Sequence, residues 1–237
     1  MIKILFIEDD KTCAYTTQGG LELLDIYDVE VAHNGKEGLE LFDRFQPDVL
    51  VTDIEMPEMD GYELVRQVRI KDKSVVIIMA SGRTMPKDVL KGYELGVDDY
   101  IKKPFVAEEL HAHIQAILKR MSSKYNKDVA DAYDFLYIGN YKFNFREETL
   151  ELRMQKQKLT TREADILKML YENKNTIVAR EKILIDLWES ADFFHSRSLD
   201  VFIAKLRKHL AYDPSIQIVT IKGKGIILKT EGISECK

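Results

Sequence analysis

Residues 49–61 read Val-Leu-Val-Thr-Asp-Ile-Glu-Met-Pro-Glu-Met-Asp-Gly. The first four are apolar or β-branched without alternation, as a strand buried on both faces requires. Asp53 ends that run, and after Gly61 an amphipathic segment continues to about Ile70. The same unit recurs on either side. Strand-like runs appear at Lys3–Ile7, Asp28–Ala32, Val49–Thr52, Val75–Met79 and Asp99–Ile101. Helix-length segments follow them at about Thr12–Leu24, Gly35–Phe45, Gly61–Ile70, Pro86–Leu95 and Ala107–Met121. Such alternation predicts an α/β fold, a five-stranded parallel sheet doubly wound with helices, and puts any active crevice beyond the C-terminal strand ends.

The polar residues gather at those ends. Glu8, Asp9 and Asp10 follow the first strand, Asp53 the third, Ser81-Gly82 the fourth and Lys103-Pro104 the fifth. Crowded carboxylates repel unless a cation joins them, and oxygen donors in this number suit Mg²⁺. A lysine and a hydroxyl complete a cradle for phosphoryl oxygens. Asp53 is then the group whose oxygen can attack phosphorus, giving an acyl phosphate, with Lys103 as a second cation. A single acid at a loop end is usually only solvated; convergence at one edge favours a site.

The second half has another texture. Residues 122–133 are polar and aperiodic and are expected to be a linker between a domain at 1–121 and one at 134–233. Short alternating strands follow at Leu136–Ile138, Tyr141–Phe145 and Leu150–Arg153, then three helices. The first opens with a capping box, Thr160 to Glu163, and runs to about Glu172. The others span about Arg180–Trp188 and Ser196–Leu210, and two strands close the chain around Gly223-Lys224-Gly225, a hairpin signature. This is an α+β winged-helix layout.

Charge separates the halves. Residues 1–121 carry 15 Lys and Arg against 23 Asp and Glu, whereas the remainder carries 20 against 17. Seven of the latter cations fall between Ser196 and Lys229, beside two acids. An acidic half joined to a locally basic one suggests two tasks, one of them on nucleic acid, although charge runs are commonly solvated faces. No apolar run is long enough to cross a bilayer, and acids stand where a signal peptide needs its cleavage site, so a cytoplasmic protein without membrane contact is expected. Cys13 and Cys236 have no metal-type spacing and are expected as reduced thiols.

Residues 1–121 resemble a receiver domain, of flavodoxin-like architecture, and the whole chain resembles the OmpR/PhoB family. The resemblance is carried by Glu8-Asp9, by Asp53 with Met56-Pro57 and Gly61, by Ser81-Gly82, by Gly96-Val97-Asp98-Asp99-Tyr100 and by Lys103-Pro104-Phe105. It implies Asp53 as phosphoacceptor, Glu8, Asp9 and the Glu55 backbone carbonyl as Mg²⁺ ligands beside Asp53, and Ser81 and Lys103 on the phosphoryl group. Tyr100 is implied as the aromatic that repositions on activation, and the Lys103–Pro104 bond as cis. A sensor histidine kinase is implied as donor and double-stranded promoter DNA as target, with no separate enzymatic activity. The resemblance puts Arg197, Val201, Phe202, Ala204, Lys205 and Arg207 near DNA, with Lys222 and Lys224 on the wing. Relatives often carry basic or polar residues where this chain has Phe202 and Ala204, so specificity is expected to lean on thymine methyls and DNA shape.

Family receivers also pair into homodimers through charged residues. Asp98, Asp99, Glu109 and Arg120 are present, while Val89 and His113 stand where relatives usually carry Lys or Arg. A weakened, pH-sensitive dimer, or one resting on apolar contacts around Val89, is the expectation. Phe193-Phe194 falls in the turn where relatives can touch RNA polymerase, although ordinary packing explains it equally well. His111 and His113, two apart on a helix, do not face one ligand. Trp188 is expected in the core.

Other classes fit less well. A haloacid-dehalogenase-type phosphatase has its Asp-x-Asp after the first strand, whereas Asp53-Ile54-Glu55 follows the third. A dinucleotide enzyme needs a Gly-x-Gly-x-x-Gly turn that is missing. A receiver controlling a protein-binding adaptor half is the remaining alternative to a DNA-binding one.

Overall fold

The computed structural model describes residues 1–82, 85–125, 135–188 and 193–230. The chain divides into two compact units, Met1–Arg120 and Met121–Lys237.

In the first unit, β1 (Ile2–Ile7), α1 (Lys11–Glu22), β2 (Tyr27–Ala32), α2 (Gly35–Phe45) and β3 (Val49–Thr52) alternate along the chain. They are followed by α3 (Gly61–Lys71), β4 (Val76–Ser81), α4 (Pro86–Leu95), β5 (Asp99–Lys102) and α5 (Ala107–Tyr125). The strands form one parallel sheet in the order β2-β1-β3-β4-β5, with Leu5 opposite Leu50, Leu50 opposite Ile77 and Met79 opposite Tyr100. Every residue of β3 and β4 is buried, which explains their unbroken apolar text. Leu5, Ile7, Leu50, Ile77 and Met79 meet Leu64, Val65 and Val68 of α3 in one core. Each such side chain contributes roughly 1.5–3 kcal/mol by leaving water.

Short polar residues start the helices. Asp10, Asn34 and Asp60 accept from backbone N–H groups of Thr12 at 2.8 Å, Glu37 at 2.9 Å and Glu63 at 2.8 Å, satisfying donors that a helix leaves open. Asp10 is therefore the cap of α1, although its position in the sequence put it among the acids of the crevice. The α5 helix runs four residues past Met121, into the segment expected as linker; residues 126–133 of that segment lie outside the described residues.

At the opposite edge from the crevice, Arg69 is buried against Asp98, Nη2 to Oδ2 at 2.8 Å. The same guanidinium donates to the carbonyls of Gly96 at 2.9 Å and Val75 at 2.7 Å. Asp98 Oδ2 also accepts from the Ile77 N–H at 2.9 Å. One ion pair thus ties the end of α3, the start of β4 and the turn before β5.

The second unit opens with an antiparallel sheet of β6 (Leu136–Ile138), β7 (Tyr141–Asn144), β8 (Thr149–Leu152) and β9 (Gln155–Lys158). Then come α6 (Thr161–Glu172), β10 (Val178–Ala179), α7 (Arg180–Trp188), α8 (Phe193–His209), β11 (Ile216–Ile221) and β12 (Gly225–Thr230). The last three strands pair as β10-β12-β11. At Gly225, φ 156°, a Cβ would lie 2.1 Å from the Val178 carbonyl, so only glycine lets β10 approach the hairpin. Phe193-Phe194 open α8 rather than lying in a turn before it.

Candidate phosphoacceptor site and nucleic-acid face

The parallel register fixes the site. Because β1, β3, β4 and β5 end at one edge, Glu8, Asp53, Ser81 and Lys103 meet there although up to 95 residues separate them. Glu8 and Ser81 are each 1 % exposed and Asp53 is 9 % exposed, whereas Asp9 is open to solvent. Ligand oxygens of Glu8, Asp9 and Asp53 lie within 4.8 Å of one another. The ammonium of Lys103 bridges this cluster, reaching Asp53 Oδ2 at 2.5 Å and pairing with Glu8 Oε2 as well. Burial pulls the Lys103 pKa down, but the hydrogen bonds and charges of Asp53 and Glu8 together outweigh it and leave it above the ordinary lysine value. This lysine is therefore charged throughout the neutral range.

Asp53 is held at both oxygens. Oδ1 accepts from the Ile54 N–H at 2.5 Å and, more distantly, from that of Glu55 at 3.4 Å, leaving Oδ2 to Lys103. Behind it, the Thr52 hydroxyl donates to the Asp53 carbonyl at 2.9 Å. A Cβ on Gly61 would lie 2.0 Å from that same carbonyl, so the glycine lets the loop after β3 fold back on α3. An all-oxygen set with one lysine against three carboxylates fits a hard divalent cation. A groove of about 410 Å³ lined by Asp9, Glu55, Met56, Asp60, Tyr62 and Lys91 leads up to the site. Tyr100 is half-buried, packed against the core of the first unit, and the Lys103–Pro104 peptide is cis. Cys13 is a free thiol near Glu8 whose pKa is pushed up first by burial and then by the Glu8 charge, which makes it a poor nucleophile.

The expected dimer face changes. Val89 is 2 % exposed and belongs to the core, so it offers no apolar contact to a second copy. Asp98 is committed to Arg69, and Asp99 Oδ2 meets His113 Nδ1 of its own chain at 2.9 Å. The partner anticipated for a protonated His113 across an interface is thus intramolecular. Glu109, in the first turn of α5, stays on the surface, and the side chain of Arg120 lies outside the described residues.

In the second unit the apolar positions of α8 face inward as their spacing requires, with Leu199, Ile203, Leu206 and Leu210 all buried. Phe202, expected near DNA, is 0 % exposed, its ring 6.0 Å from that of Trp188. An aromatic beside Ile203 widens the buried stripe and cannot reach a groove. Arg197, Ala204 and Arg207 are exposed, Val201 is half-exposed, and Lys222 and Lys224 project at the hairpin turn. Arg207 is nevertheless engaged, donating to the Ile218 carbonyl and the Thr220 hydroxyl, each at 2.8 Å. Lys205 lies 3.8 Å from Glu163, and His209 lies 3.7 Å from the same carboxylate.

Glu163 is legible in the sequence only as half of a capping box, and the box is present, with the Thr160 N–H donating to its Oε2 at 2.9 Å. Its role as a hub for α8 cannot be read from sequence, because Lys205 and His209 are more than forty residues away. Burial alone would raise the Glu163 pKa; the His209 hydrogen bond, the Lys205 charge and the Thr160 N–H outweigh that and hold it below the ordinary glutamate value. A carboxylate with a depressed folded pKa adds stability above its unfolded value, and that share is lost as pH falls through the folded value. Amide exchange in α6 and α8 is therefore expected to quicken as pH drops below the ordinary glutamate range, beyond the intrinsic rate change. Glu163→Gln should exchange faster than wild type at pH 7 and converge with it in acid. A constant difference between the two at all pH values would show that the charge is not what holds the helices.

Residues 4–115 match the response regulator receiver domain family, and residues 154–228 match the C-terminal domain of transcriptional regulatory proteins. The chain is 37% identical over 229 residues to the transcriptional regulatory protein RprY of Bacteroides fragilis, covering 97% of this chain and 95% of that one. It is 32% identical over 232 residues to the cell cycle response regulator CtrA of Brucella anthropi, covering 96% of each. A solved structure of a RitR mutant, at 22% identity and a TM-score of 0.73 over 98% of this chain, shares the fold. A five-stranded receiver with its acids gathered at one edge, joined to a winged-helix transcriptional regulatory domain, places this chain in the OmpR/PhoB family of response regulators.

Proposed function

We propose that Asp53 is the phosphoacceptor, that a sensor histidine kinase is the donor, and that phosphorylation governs binding of the winged-helix domain to promoter DNA in the cytoplasm. The observation carrying this reading is the Asp53 carboxylate held between the Ile54 N–H and Lys103, inside a cluster of three acids. A Mg²⁺ ion bound by Glu8, Asp9, Asp53 and the Glu55 carbonyl would supply charge neutralisation for the incoming group.

The residues of the chain do the rest. An Asp53 oxygen forms the O–P bond while the N–P bond of a phosphohistidine breaks, and the electron pair leaves with the imidazole nitrogen. Lys103, already charged and within reach of Asp53, turns its ammonium to the phosphoryl oxygens. Ser81, at the end of β4, offers a hydroxyl to the same group, and Tyr100 follows the change inward. On the output side, Arg197, Val201 and Ala204 of α8 meet the major groove and Lys222 and Lys224 the flanking backbone. Lys205 and Arg207 support that surface through Glu163 and β11. Pairing of receivers on phosphorylation, with Asp98 and Asp99 already satisfied in-chain, is expected to be weak. RNA polymerase is a further partner that membership of this family brings into view.

The test is a gel shift of the full chain on promoter fragments, before and after phosphotransfer from a kinase, across a salt series. Tighter binding after phosphotransfer, falling steeply with salt, is the expected result. Binding indifferent to both phosphorylation and salt would overturn the proposal.

A further inference from the structure

The exposed face of α8 has an apolar centre. Arg197, Val201, Ala204 and Lys208 stand at i, i+4, i+7 and i+11, on one side of the helix, opposite the buried Leu199, Phe202, Ile203 and Leu206. The hydrogen-bonding side chains interleaved with them are engaged inside the domain. Asp200 Oδ1 takes the Arg180 guanidinium at 2.8 Å, and Arg180 Nε donates to the Ser196 hydroxyl at 3.0 Å. Lys205 leans toward Glu163 and Arg207 is spent on β11. Between the two cationic ends Val201 and Ala204 present carbon alone, beside the exposed but ion-paired carboxylate of Asp200.

We propose that Val201 and Ala204 read the 5-methyl groups of pyrimidines at neighbouring base pairs, thymine in ordinary DNA, with Arg197 and Lys208 fixing the register on the backbone. This rests on the reading of α8 as the helix that enters the major groove. The physical reason is the asymmetry of contact. A side chain of carbon alone pressed on the N7 and O6 of guanine, or on the amino group of cytosine or adenine, strips water from groups it cannot satisfy. Against the methyl of thymine it buries apolar surface at no such cost. Residues three apart rise about 4.5 Å along a helix, close to the roughly 3.4 Å step between bases. Neighbouring pyrimidines are thus within reach of the two side chains at once.

The full-length phosphorylated chain would be used to select sites from a random duplex library, and each selected thymine replaced singly by deoxyuridine, which lacks only the methyl. Two neighbouring positions should each lose about threefold to fourfold in affinity, the worth of one buried methyl. Val201→Ala should erase the loss at one of them, while Val201→Thr, which keeps a methyl of the same shape, should retain it. Placing 5-methylcytosine, opposite guanine, at that position should bind more tightly than cytosine if the methyl itself is read, and no better if thymine is needed for its O4 as well. Lys208→Ala should weaken all sites alike and flatten the salt slope by about one unit. Sequence-specific binding with no deoxyuridine effect at any position, or an effect that survives Val201→Ala, overturns this proposal and leaves DNA binding standing. Failure to select any duplex would instead remove the groove-binding reading beneath it.

Discussion

Asp53→Asn protein, given acetyl phosphate and Mg²⁺, should acquire no hydroxylamine-sensitive phosphate at all, whereas the wild-type chain should label on this one residue. The amide is nearly isosteric but a very poor nucleophile, and among the described residues no other carboxylate is placed to replace it. Glu8 is buried and paired with Lys103, and the exposed Asp9 has neither the Ile54 N–H nor the lysine holding it in line. The variant should remain folded. Three crowded carboxylates with one lysine between them repel, so removing one charge relieves as much as it costs. Unchanged far-ultraviolet circular dichroism beside lost labelling separates chemistry from unfolding. Undiminished acyl phosphate on the variant would assign the acceptor elsewhere.

The second large effect lies at the other edge of the sheet. Arg69→Ala leaves Asp98 buried at 1 % exposure without its cation, and removes the donors to Gly96 and Val75. Breaking one side of a buried pair costs roughly 3–5 kcal/mol, a large part of what holds a domain of this size. Asp98→Ala should cost about as much, since it also strands the Ile77 N–H. Asp98→Asn should be milder, because one oxygen, Oδ2, takes both the Arg69 and Ile77 bonds and an amide oxygen can do the same. The single tryptophan, Trp188, lies in the other unit and does not report on the receiver. Amide exchange of peptides covering β4 and β5 in the full chain is therefore the measurement. Wild-type protection there in Arg69→Ala would show that the pair contributes little.

What is legible in the sequence has a common character: it is local or periodic. The unbroken apolar run of β3, the 3.6-residue rhythm of the helices and the capping box at Thr160 are written within a few neighbours of each residue. Parallel alternation alone then dictates that residues after successive strands share an edge, which is why the order of residues suffices to group Glu8, Asp53, Ser81 and Lys103. The strand Gln155–Lys158 shows the limit, since it has no apolar pattern and exists because β8 offers it a ladder. Side-chain partners needed the tertiary structure. Phe202 and Val89 read as surface positions by comparison with relatives, yet both fill the core, because a stripe's width is set by what packs against it. Asp98 and Asp99 are adjacent acids in the text, but Arg69 claims one and His113 the other. Lys205 and Arg207 read as free cations until α8 is docked on α6 and β11. A charge's availability depends on which distant group burial brings within hydrogen-bond range, and the order of residues along the chain does not contain that distance.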